Sequence, residues 1–185
     1  MDKNNFSIKS KNFYDNTIII IFKGNMNIYL IRHGEAEKSS FNKKDFDREL
    51  TNTGKVKLKN AALAWKDYII PFDYLISSPL ARALQTAQII AEYFEIKNEI
   101  IVDKKLSAGS RTDSIIEIAN SLEAANVAFV GHQPDFSEHV SNLISTNGAN
   151  VDFKKAAIAK IFFHNKVHLS RGILEFLIPA GIFNK

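Results

Sequence analysis

The chain of 185 residues has no cysteine, only four prolines and only two methionines. The lack of cysteine excludes disulfides, thiolate metal sites and cysteine nucleophiles, and it agrees with a cytoplasmic location. Long apolar runs are also missing, since the one near the N-terminus spans only Ile18 to Phe22. That run is too short for a membrane span and short for the core of a signal peptide, and no small-residue cleavage site follows it. The sequence therefore predicts a cytoplasmic protein with no membrane partner.

Basic residues are scattered along the chain, although the net charge is +4. Without a basic cluster or a repeated aromatic–basic motif, the composition does not predict a nucleic-acid partner. A mild positive balance suits an anionic substrate. Hydrophobic residues make up 45% of the chain and include 14 phenylalanines, which is enough for the buried core of one domain.

The composition changes near Met26. Residues 1–16 are polar, rich in Asn and Lys and without a period, so they are predicted to form a disordered tail. Residues 17–22 have two interpretations. They form an extra edge strand, or they result from a start codon assigned too far upstream, in which case Met26 is the true first residue. We therefore divide the chain into an N-terminal extension, 1–25, and one domain, 26–185.

Strand-like and helix-like segments alternate from Met26 onward. Short apolar runs predict strands over 27–31, 74–77, 99–102 and 127–130, and helical spacing predicts helices over 53–68, 79–94, 113–125 and 134–145. Residues 157–164 and 173–178 are predicted to form a terminal hairpin. Ser78 and Thr112 are the expected N-caps of two helices, and Val56 and Trp65 are expected to face the core. The alternation predicts an α/β fold, a three-layer α/β/α sandwich with a mostly parallel sheet that the hairpin makes mixed.

Two arginines and two histidines each follow one of the predicted parallel strands. Arg32 and His33 come after the first strand, Arg82 lies in the first turn of the helix after the second, and His132 comes after the fourth. Ligands of open α/β sheets bind beyond the carboxyl ends of the strands, so these side chains are expected at one edge. Helix N-termini at that edge present free backbone N–H groups, which favour anions.

The chemistry of these residue types is that of phosphoryl transfer. A neutral imidazole at His33 can attack phosphorus and form a phosphohistidine, provided that its other ring nitrogen donates to an acceptor such as a carbonyl. The guanidinium forks of Arg32 and Arg82 match phosphate oxygens, and His132 can donate to an oxygen in the transition state. Water then hydrolyses the intermediate. Because these groups already supply positive charge, no metal ion and no cofactor are expected.

Four motifs, in order, resemble those of the histidine phosphatase superfamily, which includes phosphoglycerate mutases and acid phosphatases, and within it the small SixA-like phosphohistidine phosphatases. The motifs are Leu-Ile-Arg-His-Gly-Glu-Ala (30–36), Leu-Thr-Asn-Thr-Gly (50–54), Ser-Ser-Pro-Leu-Ala-Arg-Ala-Leu-Gln-Thr-Ala (77–87) and Val-Gly-His-Gln-Pro (130–134). The resemblance implies a phosphoglycerate mutase-like fold, a phosphorylated His33, and a phosphate pocket completed by Arg32, Arg82 and His132. Gln133, beside His132, is expected to bind substrate.

Two absences favour the small branch. The segment between the second helix and the fourth strand is too short to hold an inserted lid subdomain, and its stretch 105–111 contains no carboxylate. An unlidded site accepts phosphate on a protein surface, and an imidazole whose far nitrogen is protonated leaves neutral, so it needs less acid assistance than an alkoxide. Glu35 is the nearest candidate acid, with a solvated loop carboxylate as the alternative, and Asp113 is a weaker candidate.

The predicted function is a metal-independent phosphatase that removes phosphate from phosphohistidine on a signalling or phosphocarrier protein. One alternative is a phosphatase of a small phosphorylated metabolite, so that the partner is a small phosphoester. The other is a catalytically idle phosphate-binding module. His139, on a predicted helix, is expected to be structural or exposed.

Overall fold

A computed structural model describes residues 24–96 and 98–183. The predictions for residues 1–16 and 17–22 lie outside the described residues. The strands are β1 (Met26–Arg32), β2 (Tyr74–Ser77), β3 (Ile101–Val102), β4 (Asn126–Gly131), β5 (Ile158–Phe163) and β6 (Ile173–Ile178). The helices are α1 (Asn52–Lys66), α2 (Ala81–Tyr93), α3 (Thr112–Ser121) and α4 (Asp135–Ile144), with short 3-10 turns at Asp45–Asp47, Lys104–Leu106 and Ala180–Phe183.

The strands form one mixed sheet in the order β3-β2-β4-β1-β5-β6. Strands β1, β2, β3 and β4 run parallel to their neighbours in that set, whereas β5 pairs antiparallel with both β1 and β6. The parallel strands β1 and β4 are therefore central and adjacent. This arrangement confirms the predicted mixed, mostly parallel sheet.

The two faces of the sheet are covered by different helices. On β1, Tyr29 and Ile31 belong to the apolar cluster that α1 and α2 complete, whereas Ile28 and Leu30 belong to the cluster that α3 and α4 complete. Because side chains alternate along a strand, one apolar run supplies both cores, as expected of a strand buried on both faces. The three-layer α/β/α sandwich is thereby confirmed. None of the helices in the described residues is long and apolar enough to cross a membrane.

Several local predictions were wrong. Helix α2 begins at Ala81 rather than at Pro79, and Ser78 does not cap it, since its N-cap is Leu80. Thr112 is the first residue of α3 rather than its cap. Val56 is exposed instead of inward-facing. The third strand is only two residues long, because the sheet pairs β3 at its edge through Ile101 and Val102 alone.

Helix α1 packs closely against the loop that leaves β1. Its N-cap is Thr51, whose hydroxyl accepts from the Gly54 amide at 2.9 Å. A Cβ atom on Gly54 would lie 2.1 Å from the carbonyl oxygen of Glu35, so a side chain at this position would push the loop away. The glycine of the Leu-Thr-Asn-Thr-Gly motif therefore allows α1 to pack against the loop that follows His33.

Candidate active site

The carboxyl ends of β1, β4 and β2 meet at one edge of the sheet. Their ladder continues past the strand ends, because the His33 amide donates to the Gly131 carbonyl at 3.1 Å and the Ser78 amide donates to the Val130 carbonyl at 3.0 Å. The rings of His33 and His132 consequently lie with their centroids 5.3 Å apart. The structure brings together two histidines from distant motifs, as the strand positions predicted.

His33 is held in one tautomer. Its Nδ1 lies 2.7 Å from the carbonyl oxygen of Gly34. A carbonyl oxygen only accepts hydrogen bonds, so Nδ1 carries the proton and Nε2 keeps its lone pair. Burial lowers the pKa of His33 to about 3; the bond to Gly34 opposes the shift, and the charges of His132, Arg82 and Arg32 add to it. The free ring is thus neutral, with a nucleophilic Nε2.

Helix α2 is tied to the loop that carries His33. The Gly34 amide donates to the hydroxyl of Thr86 at 3.1 Å, and that hydroxyl donates to the carbonyl of Arg82 at 2.7 Å. One threonine therefore fixes the first motif against the third. Thr86 belongs to the quoted Gln-Thr-Ala segment, but sequence reasoning gave it no role.

Arg82 reaches the site from the first turn of α2 and is 4% exposed. Its Nη1 donates to the backbone carbonyl of Asp45 at 2.7 Å, and its Nη2 donates to the carboxylate of Asp45 at 3.0 Å. Its Nε is buried and has no hydrogen-bond partner in the part of the chain that the structure describes. Asp45 lies in the loop between β1 and α1, so this loop folds back onto the arginine.

Arg32, at the end of β1, is anchored in a similar way. Its Nη1 donates to the carbonyl of Phe153 at 2.7 Å, and its Nε is buried with no partner within residues 24–96 and 98–183. Burial lowers the pKa of Arg32, and the charge of Asp152 opposes that shift. Each arginine is thus fixed through a backbone carbonyl and retains an unused N–H.

His132 contacts a serine that sequence reasoning assigned elsewhere. Its Nε2 lies 2.7 Å from the hydroxyl oxygen of Ser78, and its Nδ1 is buried with no partner among the residues that the structure describes. Burial, with the nearby charge of Arg82, lowers the pKa of His132 to about 4. Ser78 comes directly after β2, beside β4 in the sheet, and that position is the signal that it belongs to the site.

The remaining predicted residues lie beside these four or away from them. The carboxylate of Glu35 lies 3.4 Å from the Lys57 ammonium on α1 and is 40% exposed, and no described contact joins it to the two arginines and two histidines. The side-chain amide of Gln133 bonds to the hydroxyl of Ser137 on α4. Asp113 pairs with Arg111 on the exposed start of α3. Roles for Glu35 and Gln133 stay predictions.

His139 is buried in a polar network next to the site. Its Nε2 lies 2.9 Å from Ser110 Oγ, and its Nδ1 lies 2.9 Å from Thr112 Oγ1. The buried carboxylate of Asp135 accepts from the amides of Gly109, at 2.8 Å, and Ser110, at 3.1 Å. This network holds the loop before α3 against α4. Of the two expectations for His139, structural or exposed, the structural one is therefore correct. Within residues 24–96 and 98–183, no three His, Asp or Glu side chains are grouped to hold a metal ion.

Comparisons with known proteins support the family resemblance. Residues 28–113 match the sequence model of the histidine phosphatase superfamily (branch 1). An uncharacterized protein of Picosynechococcus sp. is 31% identical over 137 residues, which cover 72% of this chain and 82% of that protein. The region that matches the family model, 28–113, contains the first three motifs. The match to the Picosynechococcus protein covers most of that protein.

The fold is shared with solved phosphatases. The structure of the protein histidine phosphatase SixA complexed with tungstate is 20% identical, with 85% of this chain and 99% of that chain covered and a TM-score of 0.76. A phosphoserine phosphatase of Entamoeba histolytica, complexed with 3-phosphoglyceric acid, is 19% identical, with 83% and 97% covered and a TM-score of 0.58. A mycobacterial glucosyl-3-phosphoglycerate phosphatase is 16% identical, with 82% and 97% covered and a TM-score of 0.61. The shared architecture is thus found in phosphatases that are named for different phosphorylated groups.

Proposed function

This chain belongs to the histidine phosphatase superfamily and has the fold of its phosphatases. From that premise we propose that it removes phosphate from its substrate by hydrolysis, through a phosphohistidine intermediate on His33. We further propose that its substrate is phosphohistidine on a signalling or phosphocarrier protein in the cytoplasm. The roles of Arg32, Arg82 and His132 as phosphate ligands are part of the same proposal.

One observation carries the catalytic proposal: the site keeps hydrogen-bond donors without partners. Among the described residues, no hydrogen-bond partner is found for the buried Nε atoms of Arg32 and Arg82 or for the buried Nδ1 of His132. A buried donor without a partner costs about 1–3 kcal/mol, and native proteins leave few of them unexplained. We propose that a bound phosphate supplies acceptor oxygens to these three groups beside His33, whose ring centroid lies 5.3 Å from that of His132.

We propose a tautomer for His132 from its contact with Ser78. The Ser78 oxygen accepts a long bond from the Leu80 amide, 3.4 Å, and its O–H donates to Nε2 of His132 in this proposal. With Nε2 as the acceptor, Nδ1 carries the proton and is the donor for a phosphate oxygen. A neutral imidazole with this tautomer stabilises the charge that builds up on the phosphoryl oxygens.

In the first step, Nε2 of His33 forms a bond to phosphorus while the bond from phosphorus to the leaving group breaks. The positive charge that develops on the His33 ring is delocalised to Nδ1–H, which donates to the Gly34 carbonyl at 2.7 Å. In the second step, water attacks phosphorus, the bond to His33 breaks, and both protons of the water leave with the phosphate. Neutral His33 is regenerated, and the two arginines balance the phosphate charge throughout.

The choice of phosphohistidine rests on the missing acid. The loop from 105 to 111 bears no carboxylate, and the nearby Asp135 is engaged with the amides of Gly109 and Ser110. An alkoxide leaving group needs a proton, whereas a protonated phosphohistidine releases a neutral imidazole. The site therefore suits phosphohistidine better than an alkyl phosphate.

The direct test is phosphate release by the full chain, with EDTA present, from a phosphohistidine-bearing protein and from a panel of small phosphomonoesters. We expect a preference for the protein substrate, no loss of rate with EDTA, and loss of turnover in His33→Ala. His164→Ala is the matched control, because His164 is exposed on the terminal hairpin.

Three results would change the proposal. A preference for one of the small esters would move the substrate to a phosphorylated metabolite with the same chemistry. Inhibition by EDTA would overturn metal independence. Phosphate binding by the wild-type chain without any turnover would favour the idle binding module.

A further inference from the structure

The guanidinium of Arg82 is held at its outer end by a single residue. Asp45 provides two acceptors: its backbone carbonyl for Nη1, at 2.7 Å, and its carboxylate Oδ2 for Nη2, at 3.0 Å. The two acceptors span both terminal nitrogens, which is the end of the guanidinium fork. The mechanism above does not use Asp45, and no sequence motif singled it out.

This contact determines which part of Arg82 remains available. With its end taken, the guanidinium has one bidentate edge left, formed by Nε and the second hydrogen of Nη2. Nε is buried and has no partner among the described residues, in agreement with an edge that is kept for a ligand. Arg32 is held through one terminal nitrogen only, with Nη1 on the Phe153 carbonyl at 2.7 Å, and its Nε also has no partner among the described residues.

Asp45 is itself fixed from its other side. Arg48 donates to Oδ1 of Asp45 from Nε at 2.8 Å, and the Nη1 of Arg48 donates to the carbonyl of Glu37 at 2.8 Å. Although partial burial opposes it, the hydrogen bonds and charges of Arg82 and Arg48 lower the pKa of the Asp45 carboxyl. The carboxylate therefore bridges a buried arginine and a loop arginine, and its position does not depend on one contact alone.

We propose that Asp45 is a positioning residue, which fixes the guanidinium of Arg82 so that its Nε edge faces the phosphate. This inference rests on the proposed function, since it assigns Arg82 to the phosphate pocket. It adds a residue from the loop 35–50 to the site and gives that loop a defined task. Bidentate phosphate binding depends on the plane of the guanidinium, so loss of Asp45 misplaces a ligand without removing it.

If Asp45 competed with the substrate instead of positioning Arg82, its removal would change the affinity for an oxyanion in the opposite direction. If the Asp45 carboxylate instead occupied the place of the phosphate on Arg82, the substrate would displace it, and removal of the carboxylate would strengthen oxyanion binding. Positioning predicts weaker binding after the same change. The two roles are therefore separated by the direction of one measured affinity.

The experiment uses the full chain with tungstate as the probe, measured by calorimetry and as inhibition of turnover. The variants are Asp45→Ala, Asp45→Asn and Asp47→Ala. Asp47 is a matched control, since it lies exposed in the same 3-10 turn and its removal changes the net charge equally. Asp45→Asn keeps an acceptor oxygen for Arg82 and guards against a variant that fails only because the loop unfolds.

We expect Asp45→Ala to weaken tungstate binding and to lower kcat/KM by about 10- to 100-fold, because a misplaced ligand costs on that scale. Asp45→Asn should recover much of the loss, and Asp47→Ala should stay within about twofold of wild type, as exposed charges contribute little. Tighter tungstate binding in Asp45→Ala, or equal losses in Asp45→Ala and Asp47→Ala, would overturn the inference while wild-type turnover upholds the proposed function. A wild-type chain that neither binds tungstate nor turns over phosphohistidine would overturn both.

Discussion

The hydroxyl oxygen of Ser78 lies 2.7 Å from Nε2 of His132, although the two residues are 54 positions apart in the sequence. The contact is possible because β2 and β4 are adjacent and parallel, so that the residues after their last paired positions meet. In the proposed tautomer the hydroxyl donates and Nδ1 of His132 holds the proton, for which the described residues offer no acceptor. The serine at the end of β2 is thus the contact on which the proposed tautomer of His132 depends.

Ser78→Ala should lower kcat/KM by about tenfold, since it frees the tautomer of His132 but leaves the ring in place. Loss of an oxyanion donor outright costs more, about 10²- to 10³-fold. Steady-state kinetics on the phosphohistidine substrate measures the effect. Ser77→Ala is the control, because Ser77 is also buried but donates to the Ser78 carbonyl, not to His132. Equal losses in both variants would refute a specific role for the Ser78 hydroxyl.

Rapid quenching during turnover of a phosphate-labelled substrate should trap label on His33. The proposed intermediate is a phosphoramidate, so the label should survive alkali and be lost in acid. His33→Ala should abolish labelling, because no other described histidine has both the edge position and a free Nε2, whereas His164→Ala should leave it unchanged. Label that survives acid, or that maps to another residue, would rule out the intermediate.

Stability should fall when the pH is lowered from about 6.5 to about 4. Burial is the main cause that lowers the pKa of His33 to about 3 and those of His132 and His139 to about 4. The unfolded chain therefore binds protons below about pH 6.5 that the folded chain does not, so the free energy of unfolding decreases as the pH falls toward the folded values. Each of these histidines contributes up to about 1.4 kcal/mol per pH unit in that range.

Urea unfolding in phosphate-free buffer at several pH values checks this dependence. His139→Gln should reduce the slope of the unfolding free energy against pH by the contribution of one histidine. His164→Gln should leave that slope unchanged, because His164 is exposed. An unfolding free energy with equal slopes in wild type and His139→Gln would show that His139 does not titrate as its buried position implies.

Glu35→Gln should slow the hydrolysis of alkyl phosphates more than that of phosphohistidine, if Glu35 is the proton donor. A neutral imidazole needs no donor, but an alkoxide does. The comparison uses kcat for the two substrate types at one pH. Lys57→Met is the control for loss of the ion pair, which joins Glu35 to Lys57 at 3.4 Å. Equal slowing of both substrate types by Glu35→Gln would remove Glu35 from this role and leave it a solvated loop carboxylate.

Strand order and strand direction explain why much of the site was predictable. The apolar run before Arg32 and the run before His132 both predict parallel strands, and the carboxyl ends of such strands meet at one edge. This local pattern sufficed to place Arg32, His33, Arg82 and His132 together. Helix boundaries were less predictable, since Ser78 has the residue type of an N-cap but is drawn to His132 across the sheet. Tertiary contact prevailed over local preference at that position.

Sequence by itself determined the α/β class and the chemistry that a histidine between cations can perform. It also singled out the four candidate residues Arg32, His33, Arg82 and His132. Only the tertiary structure decided how those groups are oriented, because orientation depends on partners that are distant in the chain. The Gly34 carbonyl sets the tautomer of His33 locally, but Ser78 contacts His132 across two strands, and Asp45 holds Arg82 from 37 positions away. A residue type states which hydrogen bonds a group can make, and the fold states which of them remain free for a substrate.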